Sequence, residues 1–280
     1  MPGQPGGTPI EGTPSEDGPS EGRPCWVDGR FADPAAAQRF YGDVLDWTFV
    51  ERPVESGGGA RAYADGRAVA DLVPPPPGQA GQSAWCLYFA SPDAAATARR
   101  IRAAGGRVLT GPAETGRLGT VLLAADPGGV PFGVRQSGTA AGVERRRGPD
   151  GFSWAEVYTR DPAASDAFFT AVFPYGVRRM EDGGLDFKVF DLDGEPVLGR
   201  LAMTDEFPPG LPPYIGVYFT VRDCDAAVAT TLERGGRTVF GPLDSPFGRF
   251  AALIDPHGAA FAVLDPAEAA GELAALPEPG

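Results

Sequence analysis

The chain has 280 residues, of which 42% are hydrophobic, and its formal net charge is -13. This length predicts about two domains, each able to bury a core. The acidic balance argues against nucleic acid and membrane surfaces as partners, because such surfaces are bound through clusters of Lys and Arg. The sequence has neither an apolar run of about 20 residues nor an apolar leader, so we expect a cytoplasmic protein.

The first predicted elements follow an acidic segment over residues 1–23, which we expect to be a disordered tail. A first module covers residues 24–136 and opens with the alternating strand WVDGRF. The strand leads to Asp33-Pro34, where Asp can cap a helix and Pro fits its first turn. The helix AAAQRFYGDVL has apolar residues at helical spacing, and three short strands follow it: TFVER, RAYADG and AVADLV.

The second half of this module repeats the same order of elements. The proline-rich loop PPPPGQAGQ comes first, and its composition excludes central-strand pairing there. A strand, a helix that ends at Gly105-Gly106 and three further strands complete the module. The order βαβββ is therefore predicted twice in residues 24–136.

The whole pattern returns in a second module over residues 150–265. The segment CWVDGRFADPAAAQRFY, which begins at Cys25, reappears as SWAEVYTRDPAASDAFF from Ser153, and the loop EFPPGLPP corresponds to PPPPGQAGQ. Residues 137–149 are expected to be a linker and residues 266–280 a second acidic tail. Because the short strands of one module cannot cover both faces, we expect the two modules to pack side by side.

Three pieces of this pattern resemble the glyoxalase, bleomycin-resistance and extradiol-dioxygenase superfamily. They are the opening strand with DPAAAQRFYGDVLDW, the helix entry SPDAAATARRIRAAGG, and the endings DPGGVPFGV and DPHGAAFAV. The resemblance covers nearly the whole chain outside the tails and the linker. It implies an α+β, glyoxalase-like fold: two tandem modules of βαβββ repeats that form a cup-shaped mixed β-sheet flanked by helices. It implies much less about the reaction, because one fold hosts many chemistries.

The resemblance also says where a metal would be bound in members that use one. Carried across by position, those places fall at Trp26, Gly133, Trp154 and Ala262. None of these side chains can ligate a metal, because the indole nitrogen has no free lone pair and Gly and Ala have no donor. A shifted alignment would place Asp28 and Glu156 there, but two carboxylates without a histidine hold Mg²⁺ or Mn²⁺ only weakly. We therefore expect no metal and no other cofactor.

Two tryptophans and two carboxylates are the main candidates for a ligand site. Strand alternation puts Trp26, Asp28 and Arg30 on one face of the first strand. In the second module it does the same for Trp154, Glu156 and Tyr158. The indoles either belong to the core or stack on a flat ligand. The carboxylates are either solvated or paired, for instance with Arg30, or they bind the ligand or act as a general base.

Further candidates lie on the strands that follow the proline loops. They are Trp85, Tyr88, Tyr214 and Tyr218, and half of them should face the cup. The cysteines Cys25, Cys86 and Cys224 are predicted to be buried and reduced. His257, the only histidine, is predicted to be a turn residue in Asp-Pro-His-Gly.

The preferred functional hypothesis is metal-independent binding of a flat hydrophobic molecule, an antibiotic or secondary metabolite such as an anthracycline-like polyketide. Sequestration, resistance or assistance to a biosynthetic enzyme would each use such a site, in a monomer or a homodimer. The alternative is a metal-free isomerase or cyclase in which Asp28 or Glu156 is the general base. A metal-dependent lyase or dioxygenase is disfavoured by the missing ligands.

Overall fold

The structure is a computed structural model, and it describes residues 20–53, 57–75, 83–115, 119–137, 151–182, 185–205 and 207–269. Within these ranges the chain forms two eight-stranded mixed sheets and four α-helices. None of the described helices has the length and apolar character that crossing a membrane requires.

The N-terminal sheet contains eight strands and is accompanied by two helices. In chain order the elements are β1 (Pro24–Arg30), α1 (Pro34–Leu45), β2 (Thr48–Glu51), β3 (Ala60–Ala64), β4 (Arg67–Val73), β5 (Ala84–Ala90), α2 (Ala94–Ala103), β6 (Arg107–Glu114), β7 (Thr120–Ala125) and β8 (Pro131–Gln136).

The C-terminal sheet repeats this order. Its elements are β9 (Phe152–Thr159), α3 (Pro162–Val172), β10 (Gly176–Asp182), β11 (Leu185–Leu192), β12 (Glu195–Ala202), β13 (Tyr214–Thr220), α4 (Cys224–Glu233), β14 (Arg237–Ser245), β15 (Gly248–Ile254) and β16 (Ala260–Asp265).

The two sheets have the same strand order, β2-β3-β4-β1-β5-β8-β7-β6 and β10-β11-β12-β9-β13-β16-β15-β14. In each sheet the first strands of the two βαβββ units pair antiparallel at the centre, β1 with β5 and β9 with β13. Each of these strands also pairs parallel with the last strand of its own unit. The predicted fold class is confirmed.

Each helix begins at the aspartate that the sequence pattern indicates. The carboxylates of Asp33 and Asp161 accept hydrogen bonds from the backbone N–H groups of Ala36 and Ala164 at 2.9 and 3.0 Å. Asp93 and Asp223 cap α2 and α4 in the same way. These caps occupy backbone donors that a helix N-terminus leaves without intrahelical partners.

The modules share one core between the helix-facing sides of the two sheets, as the side-by-side prediction requires. The Trp85 indole N–H donates to the Tyr41 hydroxyl at 2.9 Å, and this hydroxyl donates to the carboxylate of Asp255 at 2.8 Å. The rings of Trp85 and Phe219 lie 4.9 Å apart between centroids. Side chains of one module therefore complete the interior of the other.

Several smaller predictions fall at the edges of the described chain. The linker over 137–149 and the loop PPPPGQAGQ lie mostly outside the described residues, as do residues 1–19 and 270–280 of the predicted tails. Within the first tail, Glu21 pairs with Arg100, and the backbone N–H of Gly22 donates to Ala90 at 2.9 Å. The second tail begins with a 3₁₀ helix over Pro266–Glu268.

The cysteine and histidine predictions are confirmed. All three cysteines are buried and free. Burial raises the pKa of the Cys86 thiol to about 11, which makes it unreactive as a nucleophile. His257 lies in the turn before β16, where its backbone N–H donates to the carboxylate of Asp255 at 2.9 Å.

Candidate ligand-binding site

The outer face of each sheet, opposite the shared core, carries the candidate site residues. Because side chains alternate along a strand, Trp26, Asp28 and Arg30 of β1 lie on this face together with Cys86 and Tyr88 of β5. We call this surface the N-terminal cup, and its residues are Trp26, Asp28, Arg30, Arg61, Asp71, Cys86, Tyr88 and Arg135.

Asp28 is the centre of a hydrogen-bonded group in the N-terminal cup. The indole N–H of Trp26 donates to its Oδ1 at 2.9 Å, and the hydroxyl of Tyr88 donates to its Oδ2 at 2.7 Å. Arg30 in turn donates to the Tyr88 hydroxyl at 3.2 Å. The carboxylate therefore holds both rings in fixed positions.

Arginines occupy much of the remaining space in the N-terminal cup. Arg61 of β3 donates twice to Asp71 of β4, at 2.9 and 3.0 Å, and the side chain of Asp71 is almost fully buried. The guanidinium groups of Arg61 and Arg135 lie 5.0 and 5.7 Å from the ring centroid of Trp26, in cation–π contact. Trp26 is only 6% exposed, because it also lies in a buried cluster with Cys86 and Tyr88.

The electrostatic environment raises the pKa of the Asp28 carboxyl to about 6. Burial is the largest cause, and the negative charge of Asp71, its register partner on β4, adds to it. The hydrogen bond from Tyr88, the charge of Arg30 and the hydrogen bond from Trp26 act in the opposite direction. A carboxyl with this pKa can exchange a proton near neutral pH.

The C-terminal cup is the corresponding face of the second sheet, and its polar centre is Glu156. We define it by Trp154, Glu156, Tyr158, Val189, Gly199, Phe207, Tyr214, Tyr218, Phe250 and Leu264. The indole N–H of Trp154 donates to Glu156 Oε1 at 3.2 Å, and the hydroxyls of Tyr158 and Tyr218 donate to Oε2 at 2.8 and 2.9 Å. Burial raises the pKa of Glu156, and these three hydrogen bonds oppose the rise.

Aromatic rings form most of the wall of the C-terminal cup. The rings of Tyr158 and Tyr214 are parallel within 2° and stacked at 4.7 Å between centroids, and Phe207 lies 6.0 Å from Tyr158. Arg160 donates to the backbone carbonyl of Pro208 at 2.7 Å. This hydrogen bond fastens the proline-rich loop next to the rings.

The structure brings together eight of the nine residues predicted to bind a ligand and separates one. Trp26, Asp28 and Tyr88 meet in the N-terminal cup, and Trp154, Glu156, Tyr158, Tyr214 and Tyr218 meet in the C-terminal cup. Trp85, which was also predicted to bind a ligand, lies elsewhere. Three residues before Tyr88 on the same strand, it faces the shared core and not the cup.

Three charged residues of the N-terminal cup were not predicted: Arg61, Asp71 and Arg135. The sequence of its own strand does not mark any of these three residues as part of a site. Only the register of β3, β4 and β8 relative to β1 and β5 places them around Trp26 and Asp28. The alternation of side chains in RAYA and AVADLV predicts which face of the sheet each residue lies on, but not which residues of other strands it contacts.

The donor set of the cups does not fit a divalent metal. At the family's metal position in the N-terminal cup, Tyr88 lies on Gly133, and a Cβ there would be 2.2 Å from the Tyr88 ring. Asp71 is bound by Arg61 and Arg52, and Asp28 by Trp26 and Tyr88. Across the described ranges, no three His, Cys, Asp or Glu side chains are grouped so that they could hold a metal ion.

Comparison with known proteins decides the family. Residues 27–134 match the model of the Glyoxalase/Bleomycin resistance protein/Dioxygenase superfamily. The chain is also 34% identical to the "Anthracycline biosynthesis protein DauV" of a Streptomyces species. The alignment has 264 residues and covers 89% of this chain and 94% of the relative. The chain belongs to this superfamily. It is also 34% identical, over 88% of its length and 95% of the relative, to the "Putative glyoxylase CFP32" of Mycobacterium bovis.

Solved structures of the superfamily share the fold. The trihydroxybiphenyl dioxygenase of Sphingomonas wittichii superposes with a TM-score of 0.63 at 18% identity, covering 92% of this chain and 95% of that one. The Mn(II)-bound glyoxalase of Novosphingobium aromaticivorans gives 0.61 at 17% identity, covering 90% and 86%. At this level of identity the likeness extends to the fold of both modules and not to the chemistry of the cups.

The raised pKa of Asp28 predicts a stability effect with a definite sign. Between about pH 4 and 6 the folded chain binds more protons at Asp28 than the unfolded chain, so the free energy of unfolding falls as pH rises through this window. Asp28→Asn removes this dependence. At about pH 7 we expect the variant to be more stable than wild type by about 1–2 kcal/mol. Each unit of raised pKa corresponds to about 1.4 kcal/mol, and the total is reduced because solvent screens the charge of a partly exposed residue.

Urea denaturation between about pH 4 and 7.5 measures this difference. The advantage of Asp28→Asn should shrink toward the acidic end. Asp205→Asn, at an exposed position, is the matched control. A variant less stable than wild type at neutral pH would show that the ionised carboxylate is stabilised in the fold.

Proposed function

We propose that the chain binds a flat, hydrophobic small molecule of secondary metabolism without using a metal, for sequestration, resistance or delivery to a biosynthetic enzyme. One observation carries the proposal: each module presents a tryptophan and a carboxylate two residues apart on its outer face, with the indole N–H on the carboxylate. The wall of the C-terminal cup has many aromatic groups and few charged ones, which suits a pocket that orients a flat ligand.

The names of relatives support the ligand class. DauV and the similarly related DnrV of Streptomyces peucetius, 34% identical over 87% of this chain, are both named as anthracycline biosynthesis proteins. An anthracycline is a planar polyketide, and many carry an aminosugar. A planar polycycle offers a face to an indole, and an amine offers a partner to Asp28 or Glu156.

The chemistry of the available donors supports metal independence. The carboxylates of both cups already accept hydrogen bonds from indole and phenol groups or from arginines. A divalent ion would have to displace these donors and would then find one or two oxygen ligands, fewer than Mg²⁺, Mn²⁺ or Zn²⁺ prefers.

Titration of the chelator-treated protein with an aminosugar anthracycline tests this function. We expect saturable binding by calorimetry and quenching of tryptophan fluorescence, with the same affinity before and after chelation. Elemental analysis should find well below one equivalent of Zn, Mn, Fe or Ni per chain. Binding that is lost with EDTA and restored by one of these metals would contradict the proposal. A non-planar hydrophobic compound of similar size is the control ligand.

A second candidate function, a metal-free isomerase or cyclase, is favoured by Asp28. Its pKa of about 6 suits a general base, and the Tyr88 hydroxyl holds it in place with a hydrogen bond of 2.7 Å. Conversion of the bound compound to an isomer, seen by chromatography and lost in Asp28→Asn while binding persists, would establish this activity. An unchanged compound after long incubation would leave binding as the function.

A further inference from the structure

The residues that define the two cups differ in charge at four equivalent positions. Equivalent positions of the two cups can be identified from the strand registers. The pairs β1–β4, β3–β4, β1–β5 and β5–β8 of the first sheet have the same registers as β9–β12, β11–β12, β9–β13 and β13–β16 of the second. Every charged residue of the N-terminal cup except Asp28 has an uncharged counterpart in the C-terminal cup. The pairs are Arg30 and Tyr158, Arg61 and Val189, Asp71 and Gly199, and Arg135 and Leu264.

Arginine side chains already cover the ring of Trp26 in the N-terminal cup. Trp26 has the guanidinium groups of Arg61 and Arg135 against its ring, and Trp26 and Tyr88 are 6% and 5% exposed. A flat ligand could stack on Trp26 only by displacing an arginine. A positively charged ligand would also be repelled by those arginines.

The C-terminal cup offers the opposite environment. Trp154 and Glu156 are partly exposed, and no described residue forms an ion pair with Glu156. The described groups on Glu156 are the neutral donors of Trp154, Tyr158 and Tyr218. Gly199 and Gly216 let the side chains of Glu156 and Tyr158 lie close against the sheet, since a Cβ at either would be 2.7 or 2.8 Å from them.

We propose that the C-terminal cup is the ligand site and that it takes one planar aromatic molecule carrying a protonated amine, with the ring against Trp154 and the ammonium group toward Glu156. The negative faces of several aromatic rings attract a cation, and an acidic side chain among them adds a direct partner. This inference rests on the proposed function and narrows it to one cup, one ligand charge and a stoichiometry of one.

A matched pair of ligands and a matched pair of variants test the proposal. The ligands are an aminosugar anthracycline and its N-acetyl derivative, which keeps the ring system and removes the positive charge. The variants are Glu156→Gln and Asp28→Asn, which make the same chemical change in the two cups. Calorimetry gives affinity and stoichiometry, and circular dichroism with thermal melting checks that each variant is folded.

We expect the wild type to bind one molecule of the amine per chain and to bind it more tightly than the N-acetyl derivative. Glu156→Gln should weaken binding of the amine by about 10-fold to 100-fold, as expected for loss of a partly buried ion pair, and should change binding of the N-acetyl derivative little. Glu114→Gln, at an exposed position of β6 outside both cups, should leave both affinities within about 2-fold, and Asp28→Asn should weaken amine binding less than Glu156→Gln does.

Three results would overturn the inference. They are equal affinity of the wild type for the two compounds, a stoichiometry of two, and a loss of amine binding in Asp28→Asn and not in Glu156→Gln. In each of these cases the proposed function would still stand, because a flat ligand is bound. If the wild type binds neither compound, the proposed function fails and this inference fails with it.

Discussion

Residues 1–140 expressed without the rest of the chain are expected to aggregate or to self-associate. The reason is the shared core: the ring of Phe132 packs against Phe168 at 5.9 Å, and that of Phe89 against Phe173 at 5.1 Å. Each aromatic side chain that loses its cover forfeits about 1.5–3 kcal/mol of burial. Several such losses together approach the whole stability of a domain, about 5–15 kcal/mol.

Size-exclusion chromatography with light scattering measures the outcome, and the full chain under the same conditions is the control. A self-associated but folded fragment is also consistent with the prediction, because a second copy can cover the exposed face. A well-dispersed monomeric fragment with a cooperative melting transition would show that the N-terminal sheet does not need the C-terminal module.

Trp154→Ala is expected to weaken binding of an aminosugar anthracycline by about 10-fold to 1000-fold, or about 1.4–4 kcal/mol. Stacking of an indole on a flat ring contributes about 0.5–1.5 kcal/mol beyond the burial of its surface. Because Trp154 is partly exposed on the outer face, the fold should survive its loss. Trp154→Phe keeps a smaller ring and should lose less affinity.

Calorimetric titration measures this change, and Trp26→Ala provides the comparison at the equivalent position of the other cup. Trp47 and Trp85 belong to the shared core, so ligand quenching of their fluorescence should be small. If Trp154→Ala is folded and binds a verified ligand as tightly as wild type does, this tryptophan is a packing residue. A loss confined to Trp26→Ala would move the site to the N-terminal cup.

The fold could be predicted from the sequence because the same signals recur four times along the chain. Each unit begins with an apolar strand that leads to an aspartate, and all four aspartates cap a helix in the structure. Strand alternation also placed Trp26 with Asp28 and Trp154 with Glu156 on a common face. These are local relations, and local sequence is sufficient to specify them.

The charge of each cup could not be predicted, because it depends on contacts between strands far apart in sequence. Arg61 and Arg135 reach Trp26 from β3 and β8, which lie on either side of the central β1–β5 pair. Their uncharged counterparts, Val189 and Leu264, become visible only through the registers of the second sheet. In the sequence, Trp26 and Trp154 look equivalent. In the structure, one is covered by cations and the other is partly open.

A crystal structure of the chelator-treated protein with an aminosugar anthracycline tests the central claim most directly. The account predicts one planar ring system per chain, packed against Trp154 in the C-terminal cup, with the amine toward Glu156 and no metal ion between ligand and protein. A ligand held through a metal ion, or bound anywhere other than the C-terminal cup, would contradict it.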